Sequence, residues 1–491
     1  MRTASLHWFR ADLRYSDNTA LSKALSESDG VVGCFILTPK TWQQHDRAAS
    51  QVQFILDNLQ ALGKILHKHG IPLLIRTTDS FEDCAAILYT IMQKYSLKNL
   101  YFNTQYEIDE IKRDQQITQY LETKNITVNR FADQTMLAPG SVLSKTGTPF
   151  KIFTPFKNTW LKTVQNTGIF SLKDPKPVLK NRSSEAIKAI SSDPIPTQCE
   201  GFVGPIDTTI LWPAGEIQAA QRLKTFCEST LENYHLSRNI PGIAGTSSLS
   251  PYLALGVLSP RQCLEAILKA SHTDNVLEIQ DKLGPATWLS ELIWREFYKH
   301  LMAQFPSVCC FKPFQTLTDH LPWRYDTIAF ERWCQGLTGF PLIDAAMRQL
   351  LATGWMHNRL RMLVANFLTK SLFIDWRWGE RYFMQKLIDG DLSANNGNWQ
   401  WSASTGTDAA PYFRIFNPIR QSQLFDPAGD FIRRYCPELA CMDNKAIHEP
   451  YRLAPVLAKK QGYPEPMITL GENREAVLHA FKTLKDYAAK D

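Results

Sequence analysis

Five short runs of β-branched and aromatic residues punctuate the first 135 positions: SLHWF (Ser5–Phe9), VVGCFIL (Val31–Leu37), PLLIRT (Pro72–Thr77), NLYFN (Asn99–Asn103) and TVNRF (Thr127–Phe131). Between them lie stretches with helical periodicity. The clearest is AASQVQFILDNLQALGKILHKHG, which puts Val52, Ile55, Leu56, Leu59, Leu62, Ile65 and Leu66 on one face and stops at Gly70. Strand-length apolar runs alternating with helices predict a parallel, doubly wound sheet with right-handed crossovers. Such a sheet binds ligands beyond the carboxyl ends of its strands. No G-x-G-x-x-G or G-x-x-x-x-G-K follows the first strand, so the usual dinucleotide and P-loop readings fail. The turn there reads WFRADLRYSDNTAL, and its crowd of Arg10, Asp12, Arg14, Asp17 and Asn18 is expected to be an ion network that ties the loop to the sheet end.

From Gln134 to about Thr209 the text turns to Pro, Ser, Lys and Gly (LAPGSVLSKTGTPF, KDPKPVLKNRSSE, SSDPIPTQCEGFVGP), which reads as a long surface connector. Beyond Trp212 strand signals are scarce. At 491 residues the chain exceeds what one core usually supports. We therefore expect an α/β domain over 1–134, a linker over 135–209 and an all-α domain over 210–491. No run is long and apolar enough to span a membrane. The N-terminus turns charged within ten residues without an apolar stretch, so a cytoplasmic protein is expected. The ten cysteines show no C-x-x-C, which indicates neither a metal site nor a disulfide framework. The net charge of +6 is uneven: residues 1–135 hold 15 basic and 15 acidic side chains, leaving 39 and 33 for the rest. The excess on the later residues points to a polyanion partner.

Nine of the 13 tryptophans fall between Trp288 and Trp401. Most Trp is simply buried, yet a local excess beside Asp, Asn and Arg suits a site for a large aromatic ligand. Three segments sharpen this. GTSSLSPYLALGVLSP places Thr246, Ser247, Ser248, Leu249 and Ser250 before Pro251, a helix start able to cradle phosphate or simply to cap itself. WLSELIWREFYKHL puts Trp288, Glu291, Trp294 or Arg295, and Tyr298 along one stripe, where Glu291 must meet solvent or a ligand. TGWMHNRLRM brings Trp355, Asn358, Arg359, Arg361 and Met362 onto one or two turns, and Arg361 needs an acid, for which Asp389 and Asp391 of DGDLSANNGNWQW are the candidates.

At these residues the chain resembles the photolyase and cryptochrome family, most closely the bacterial class I photolyases that act on cyclobutane pyrimidine dimers. The resemblance runs from WFRADLRYSDNTAL through FTPFKNTWLK, GTSSLS, ELIWREFYKHL, DAAMRQL, TGWMHNRLRM and LIDGDLSANNGNWQWSASTGTDAAPYFRIFNP to FIRRYCPEL. It implies an N-terminal α/β domain, a linker and a helical domain holding a U-shaped FAD. Tyr234 and the Thr246–Ser250 loop match flavin phosphate and ribose contacts. Asp389, Gly390 and Asp391 match the stretch facing the isoalloxazine, Arg361 the partner of Asp389, and Asn395 the amide beside the flavin nitrogen that carries the extra proton. Trp294 and Trp401 match the walls of a lesion pocket lined by Glu291, Asn358 and Met362; Asn358 is also expected to touch the cofactor, and Arg295 and Tyr298 the DNA. Arg238, Arg359 and Arg420 match DNA-backbone contacts, and Trp399, Trp376 and Trp323 an electron-hopping chain.

The resemblance implies that light-excited reduced FAD donates an electron to a flipped-out dimer, with Glu291 hydrogen-bonded to it. Flipping is required because a fused dimer cannot be reached inside the duplex. A second, light-harvesting chromophore is expected, and here the chain departs from the folate-binding pattern. Asp109-Glu110 stands where Asn-Glu is usual, and Cys310 follows Cys309 where Lys is usual, while His45 is in place. Methenyltetrahydrofolate is expected, weakly held, with a deazaflavin or an empty site as the alternatives. Ser248 replaces an Arg common in the phosphate loop and Leu424 a Lys common near the DNA. A six-four photolyase would carry His at positions 358 and 362. A blue-light photoreceptor of the cryptochrome type is the main alternative, and a light-independent flavin enzyme leaves the basic half unexplained. The expected partner is dimer-containing DNA, bound by a monomer without metal or membrane.

Overall fold

A computed structural model describes residues 4–168, 187, 189–204, 206–207 and 209–488. The stretch KDPKPVLKNRSSE lies outside the described residues. By contact the chain forms two compact units: 1–232 with 247–306 and 388–390, and 233–246 with 307–387 and 391–491.

The first unit is built on a five-stranded, all-parallel sheet in the order β3-β2-β1-β4-β5, with β1 at Ser5–Phe9, β2 at Val31–Leu37, β3 at Leu73–Thr77, β4 at Asn99–Asn103 and β5 at Thr127–Phe131. Every residue of β1 and β2 is buried, which is why β2 reads as an unbroken apolar run, while β1 buries the polar Ser5 and His7 as well. Registers are continuous, with Leu6 opposite Val32 and Leu100. The periodic stretch after β2 is the helix Ala49–Lys68, whose Phe54, Leu56, Leu59 and Leu66 are fully buried.

The charged turn after β1 is the structural network its composition suggests. Asp12 accepts from the Arg10 backbone (2.7 Å) and from Asn103 (2.6 Å), and Asn18 caps the helix Thr19–Glu27 through Leu21 N (3.1 Å). Arg14 pairs with Asp133, and Arg261 bridges Asp17 (3.0 Å) and Asp133 (2.7 Å). Burial alone would raise the Asp133 carboxyl, but the two guanidinium groups outweigh it and hold it well below the usual carboxylate range.

The connector is not all loop. Phe153–Thr167 is a helix that buries Phe156, Trp160, Leu161 and Val164 and ends at Gly168 with φ +60°. Its register is fixed by one acid: Glu296 accepts from Trp160 Nε1 (2.6 Å), Leu137 N (3.4 Å) and Met136 N. That carboxyl is fully buried, and burial pushes it up to about 7. The helix Leu283–Gln304 that carries Glu296 also belongs to this unit.

The described residues of the second unit are helical, around a core in which Trp323, Trp333, Trp376, Phe383 and Trp399 share one apolar cluster. Asp344 ties a loop to this core by accepting from Thr338 N (2.7 Å), Gly339 N (3.0 Å) and the Tyr463 hydroxyl (2.6 Å). At Gly379, in the middle of the helix Trp376–Lys386, an added Cβ would stand 2.5 Å from Trp399 Cζ3. Only glycine lets that indole lie against the helix.

Candidate active site

In the first unit the helix Leu283–Gln304 carries Glu291, Trp294, Arg295 and Tyr298. Glu291 and Trp294 are half-buried. One face of Trp294 is covered by Phe153, with ring centroids 3.7 Å apart and planes within 5°, and its edges meet Phe297 and Tyr298. A ring stacked this closely on one side is a rigid wall for a planar ligand on the other. Arg295 donates to the carbonyls of Gln134 (2.6 Å) and Leu253 (3.2 Å), and Tyr298 is buried.

The hydroxyl-rich loop ends in the five-residue helix Ser250–Ala254, with Pro251 in its first turn. Ser248 takes the left-handed conformation at φ +49°, a sharp turn that Leu249, fully buried, anchors. Gly390 is held by Gln51, which donates to its carbonyl (2.8 Å), and Asp389 is buried.

In the second unit Asp391 caps the helix Leu392–Ala403, accepting from Ala394 N (3.2 Å) and Ser393 Oγ (2.5 Å). One turn on, Asn395 donates through Nδ2 to the Glu380 carbonyl (2.9 Å). Its amide nitrogen is thus spent inside the protein, and Oδ1 is the end available to a ligand's N–H. Trp399 packs edge-on against Phe383 (5.0 Å) and Trp333 (6.1 Å), and the half-buried Trp401 follows on the same helix.

Asn358 opens the helix Asn358–Asn366, which also bears Arg359, Arg361 and Met362. His357 caps it, accepting from Arg359 N (3.2 Å) through Nδ1. Burial, helped by Arg359, Arg361 and Arg238, holds the His357 ring neutral, at about 4. Arg361 donates to the Met356 carbonyl (2.8 Å). Arg359 is aimed by Asn239 Oδ1 (2.7 Å from Nη2) and lies over the Phe425 ring (4.6 Å), while Arg238 lies 5.7 Å from the centre of Tyr234. Arg420 is exposed on the helix Pro418–Phe425, and Leu424 beside it is exposed as well.

Asp109 and Glu110 lie in the first turn of the helix Ile108–Glu122 in the first unit. His45 Nε2 is 3.3 Å from Asp109 and its Nδ1 3.8 Å from Glu110, with Lys112 3.4 Å from Asp109. Burial and then Glu107 raise the Glu110 carboxyl.

Several of these partners escape sequence reasoning: Phe153 beneath Trp294, Asn239 beneath Arg359, the Glu380 carbonyl behind Asn395, and Trp333 beside Trp399. Phe153 opens FTPFKNTWLK and Asn239 follows Arg238 directly, so each sits in a conspicuous motif. Nothing in either motif says which ring or cation it meets.

Among the described residues no helix is long and apolar enough to cross a membrane, and no group of three or more His, Cys, Asp or Glu is placed to hold a metal ion. Residues 5–179 match the family described as DNA photolyase, and residues 288–483 the FAD binding domain of DNA photolyase. The chain is 44% identical to a deoxyribodipyrimidine photo-lyase of Vibrio cholerae, over 98% of this chain and 99% of that one. It is 42% identical to the protein of the same name from Escherichia coli, with the same coverage. Among solved structures it resembles a bacterial class III photolyase from Agrobacterium tumefaciens (TM-score 0.83, 32% identity, 99% and 98% covered) and a Synechocystis cryptochrome (TM-score 0.82, 28% identity, 98% and 99% covered). With relatives this similar across nearly its whole length, the chain belongs to the DNA photolyase family.

Proposed function

We propose that the protein is a carbon–carbon lyase that uses blue light and FAD to split cyclobutane pyrimidine dimers in DNA. The observation that carries this is the near-complete alignment with relatives named deoxyribodipyrimidine photo-lyase, in a chain that keeps Glu291, Trp294, Asn358, Met362 and Asn395. The residues present suit the cofactor. Tyr234, Thr246, Ser247, Ser248 and Ser250 offer hydroxyls to its phosphates and ribose, with Leu249 anchoring the turn. Asn395 Oδ1 accepts the proton-bearing ring N–H, because its amide donor is already held by Glu380. Asp389, Gly390 and Asp391 would hold the edge of the ring, and Arg361 would add a positive charge to the site. Bound, fully reduced and excited, the flavin supplies one electron to the dimer and recovers it once the cyclobutane ring has opened.

The protein's own part is to hold the substrate and steady its charge. Arg238, Arg359 and Arg420 bind backbone phosphates. Trp294 and Trp401 replace the stacking that a flipped dimer loses, worth roughly 1–3 kcal/mol per base. Asn358 and Met362 line the pocket, and Arg295 and Tyr298, the latter packed beside Trp294, belong to the same DNA-binding face. Glu291, half-buried on its helix, is assigned the hydrogen bond to a dimer carbonyl that steadies the negative charge developing there. Trp399, Trp376 and Trp323 would pass electrons toward the bound cofactor when it is oxidised. We further assign Asp109 and Glu110, with His45, to a folate antenna: their carboxylates suit the N–H edge of a pterin. The absence of a Lys after Cys309 weakens the hold on its acidic tail. A cytoplasmic monomer completes this reading, tested by fractionation and sedimentation.

The experiment is blue-light repair of a thymine-dimer oligonucleotide by dithionite-reduced protein, with a dark control and a six-four lesion alongside. Loss of the dimer alone, only in light, is the expected result. Tight flavin with no repair of either lesion moves the reading to a photoreceptor. Unchanged repair quantum yield in both Glu291→Gln and Glu291→Ala removes Glu291 from its role.

A further inference from the structure

A cavity of about 450 Å³ opens on the helix Trp376–Lys386 of the second unit, lined by Phe311, Phe330, Arg377, Trp378, Arg381 and Tyr382. Its walls combine four aromatic rings with two guanidinium groups. Arg377 is neutralised by Asp319 and Asp375 (3.1 Å) and donates to the Phe311 carbonyl (2.7 Å), so it builds the wall. Arg381 is exposed, its guanidinium carbon 5.7 Å from the centre of Phe311, and Lys386 Nζ lies 5.5 Å from the centre of Tyr382. A planar ligand with an anionic group fits such a lining: rings take the plane and the Arg381 guanidinium the charge, with Lys386, outside the lining, adding to the positive field.

The floor of the cavity is wired to Trp399. Phe330 and Trp378 have ring centres 5.2 Å apart, Phe330 and Trp333 5.7 Å, and Tyr382 and Trp333 5.8 Å. Trp333, fully buried, is in turn 6.1 Å from Trp399. Rings at these separations are in or near van der Waals contact, and electronic coupling falls off steeply with the gap between edges. A cavity one ring away from a relay that touches Trp399 is placed for an electron donor.

We propose that this cavity binds a phosphate-bearing planar reductant, a dihydronicotinamide nucleotide, and that Trp333 relays its electrons to Trp399. The inference rests on Trp399 being the residue that gives an electron to the oxidised, photoexcited cofactor. Trp399 then takes one electron from Trp333, and Trp333 takes one from Tyr382 or Trp378. The bound dihydronicotinamide refills that ring, and its radical cation releases a proton to water. The remaining nicotinamide radical gives its second electron in a second turn, so two light-driven turns convert one dihydronicotinamide to the oxidised nucleotide and one proton.

The test uses the FAD-loaded protein and NADH. Binding is read as energy transfer from tryptophan to the dihydronicotinamide, and turnover as loss of dihydronicotinamide absorbance under blue light. Arg381→Glu, on the surface, is expected to weaken NADH binding by about tenfold or more, as reversing a charge at a phosphate contact does. In a Trp376→Phe background, where only the Trp333 route remains, NADH is still consumed in light. Adding Trp333→Phe stops that consumption and leaves the dissociation constant within about twofold. Binding that is indifferent to Arg381→Glu, or consumption that persists without Trp333, overturns the proposal. Dimer repair by the dithionite-reduced wild type separates the two readings. Repair intact with no NADH binding removes the cavity's role alone, whereas failure of repair removes the function beneath it.

Discussion

Gly379→Ala sets two effects of similar size against each other, and the structure decides between them. Gly379 lies inside the helix Trp376–Lys386, where alanine is favoured over glycine by about 1 kcal/mol. Propensity alone therefore predicts a more stable protein. The new methyl carbon, however, would stand 2.5 Å from Trp399 Cζ3 and 2.7 Å from Leu368 Cδ2, and closer still to Trp399 Cη2. The indole has no room to retreat, since Phe383 (82° between planes) and Trp333 (71°) meet it edge-on and it is only 2% exposed. Overpacking of this kind costs about 1–3 kcal/mol, and three simultaneous contacts with a fixed ring and a core leucine put it at the upper end. The net is a loss of about 1–2 kcal/mol, with the whole change falling on the position of Trp399. Urea unfolding of the second unit, followed by tryptophan emission, should show a lower midpoint at unchanged slope. Photoreduction of the cofactor should slow in the same variant. A raised midpoint with unaltered photoreduction would refute the reasoning, because it would mean that the ring yields without cost and that its placement is not set by Gly379.

Glu296 is raised to about 7 by burial against about 4.3 in an unfolded chain, so its stabilisation is complete below about pH 4 and is lost as pH rises through 7. Glu296→Gln should abolish that fall, on the order of 3 kcal/mol, in stability measured from pH 4 to 8, leaving the opposite slope from His300 and His357, which burial holds near 4. Lys370 is the mirror case: burial lowers its ammonium to about 7, its Nζ donates to the Ala403 carbonyl (2.9 Å), and stability should rise with pH between 7 and about 10.4. Lys370→Met should flatten that rise, and a rise that persists would place the titration elsewhere. Binding of dimer-containing duplex through Arg238, Arg359 and Arg420 should give a slope of log affinity on log salt of about −3, reduced by about one in Arg420→Ala, and a flat response would exclude phosphate contacts as the main source of affinity. Trp399→Phe should slow photoreduction while dithionite-reduced protein still repairs, and loss of both would indicate a folding defect rather than a broken relay.

The sheet was legible almost to the residue because β-branched and aromatic residues cluster in all five strands, the edge strands β3 and β5 included although these are only partly buried, and helical stretches separate them. The helix Phe153–Thr167 was not, although Phe156, Trp160 and Val164 recur at helical spacing within it. Its neighbours are rich in Pro, Ser and Lys, and composition averaged over the connector hid a single amphipathic turn pattern. At the site, residue types were legible and pairings were not. Glu291, Trp294 and Asn395 stand out as side chains that a plain core does not need. The sequence offers no way to pair Trp294 with Phe153, 141 positions earlier, or Trp160 with Glu296, 136 positions later, because periodicity fixes a face and never its partner.

Those unforeseen partners share a physical purpose. Electron transfer depends steeply on the gap between rings, so a site that relies on it gains more from fixed side chains than from strong contacts. Trp294 is clamped by Phe153 and Phe297, Arg295 holds two backbone carbonyls, and Asn395 is turned by the Glu380 carbonyl. Each fixes one torsion before any ligand arrives, and ordering done during folding is not charged against binding. The proposed phosphate contacts follow the opposite rule. Arg238 caps the end of a short helix and Arg359 and Arg420 sit on short helices, half-buried or exposed, where a charge keeps its hydration until the polyanion displaces it. Arg359 is aimed by Asn239 and lies over Phe425. Asn239→Ala should therefore weaken DNA binding without changing the number of phosphates neutralised, so that affinity falls at every salt concentration while the salt slope stays the same. A change in slope would show instead that Asn239 governs whether Arg359 meets a phosphate at all.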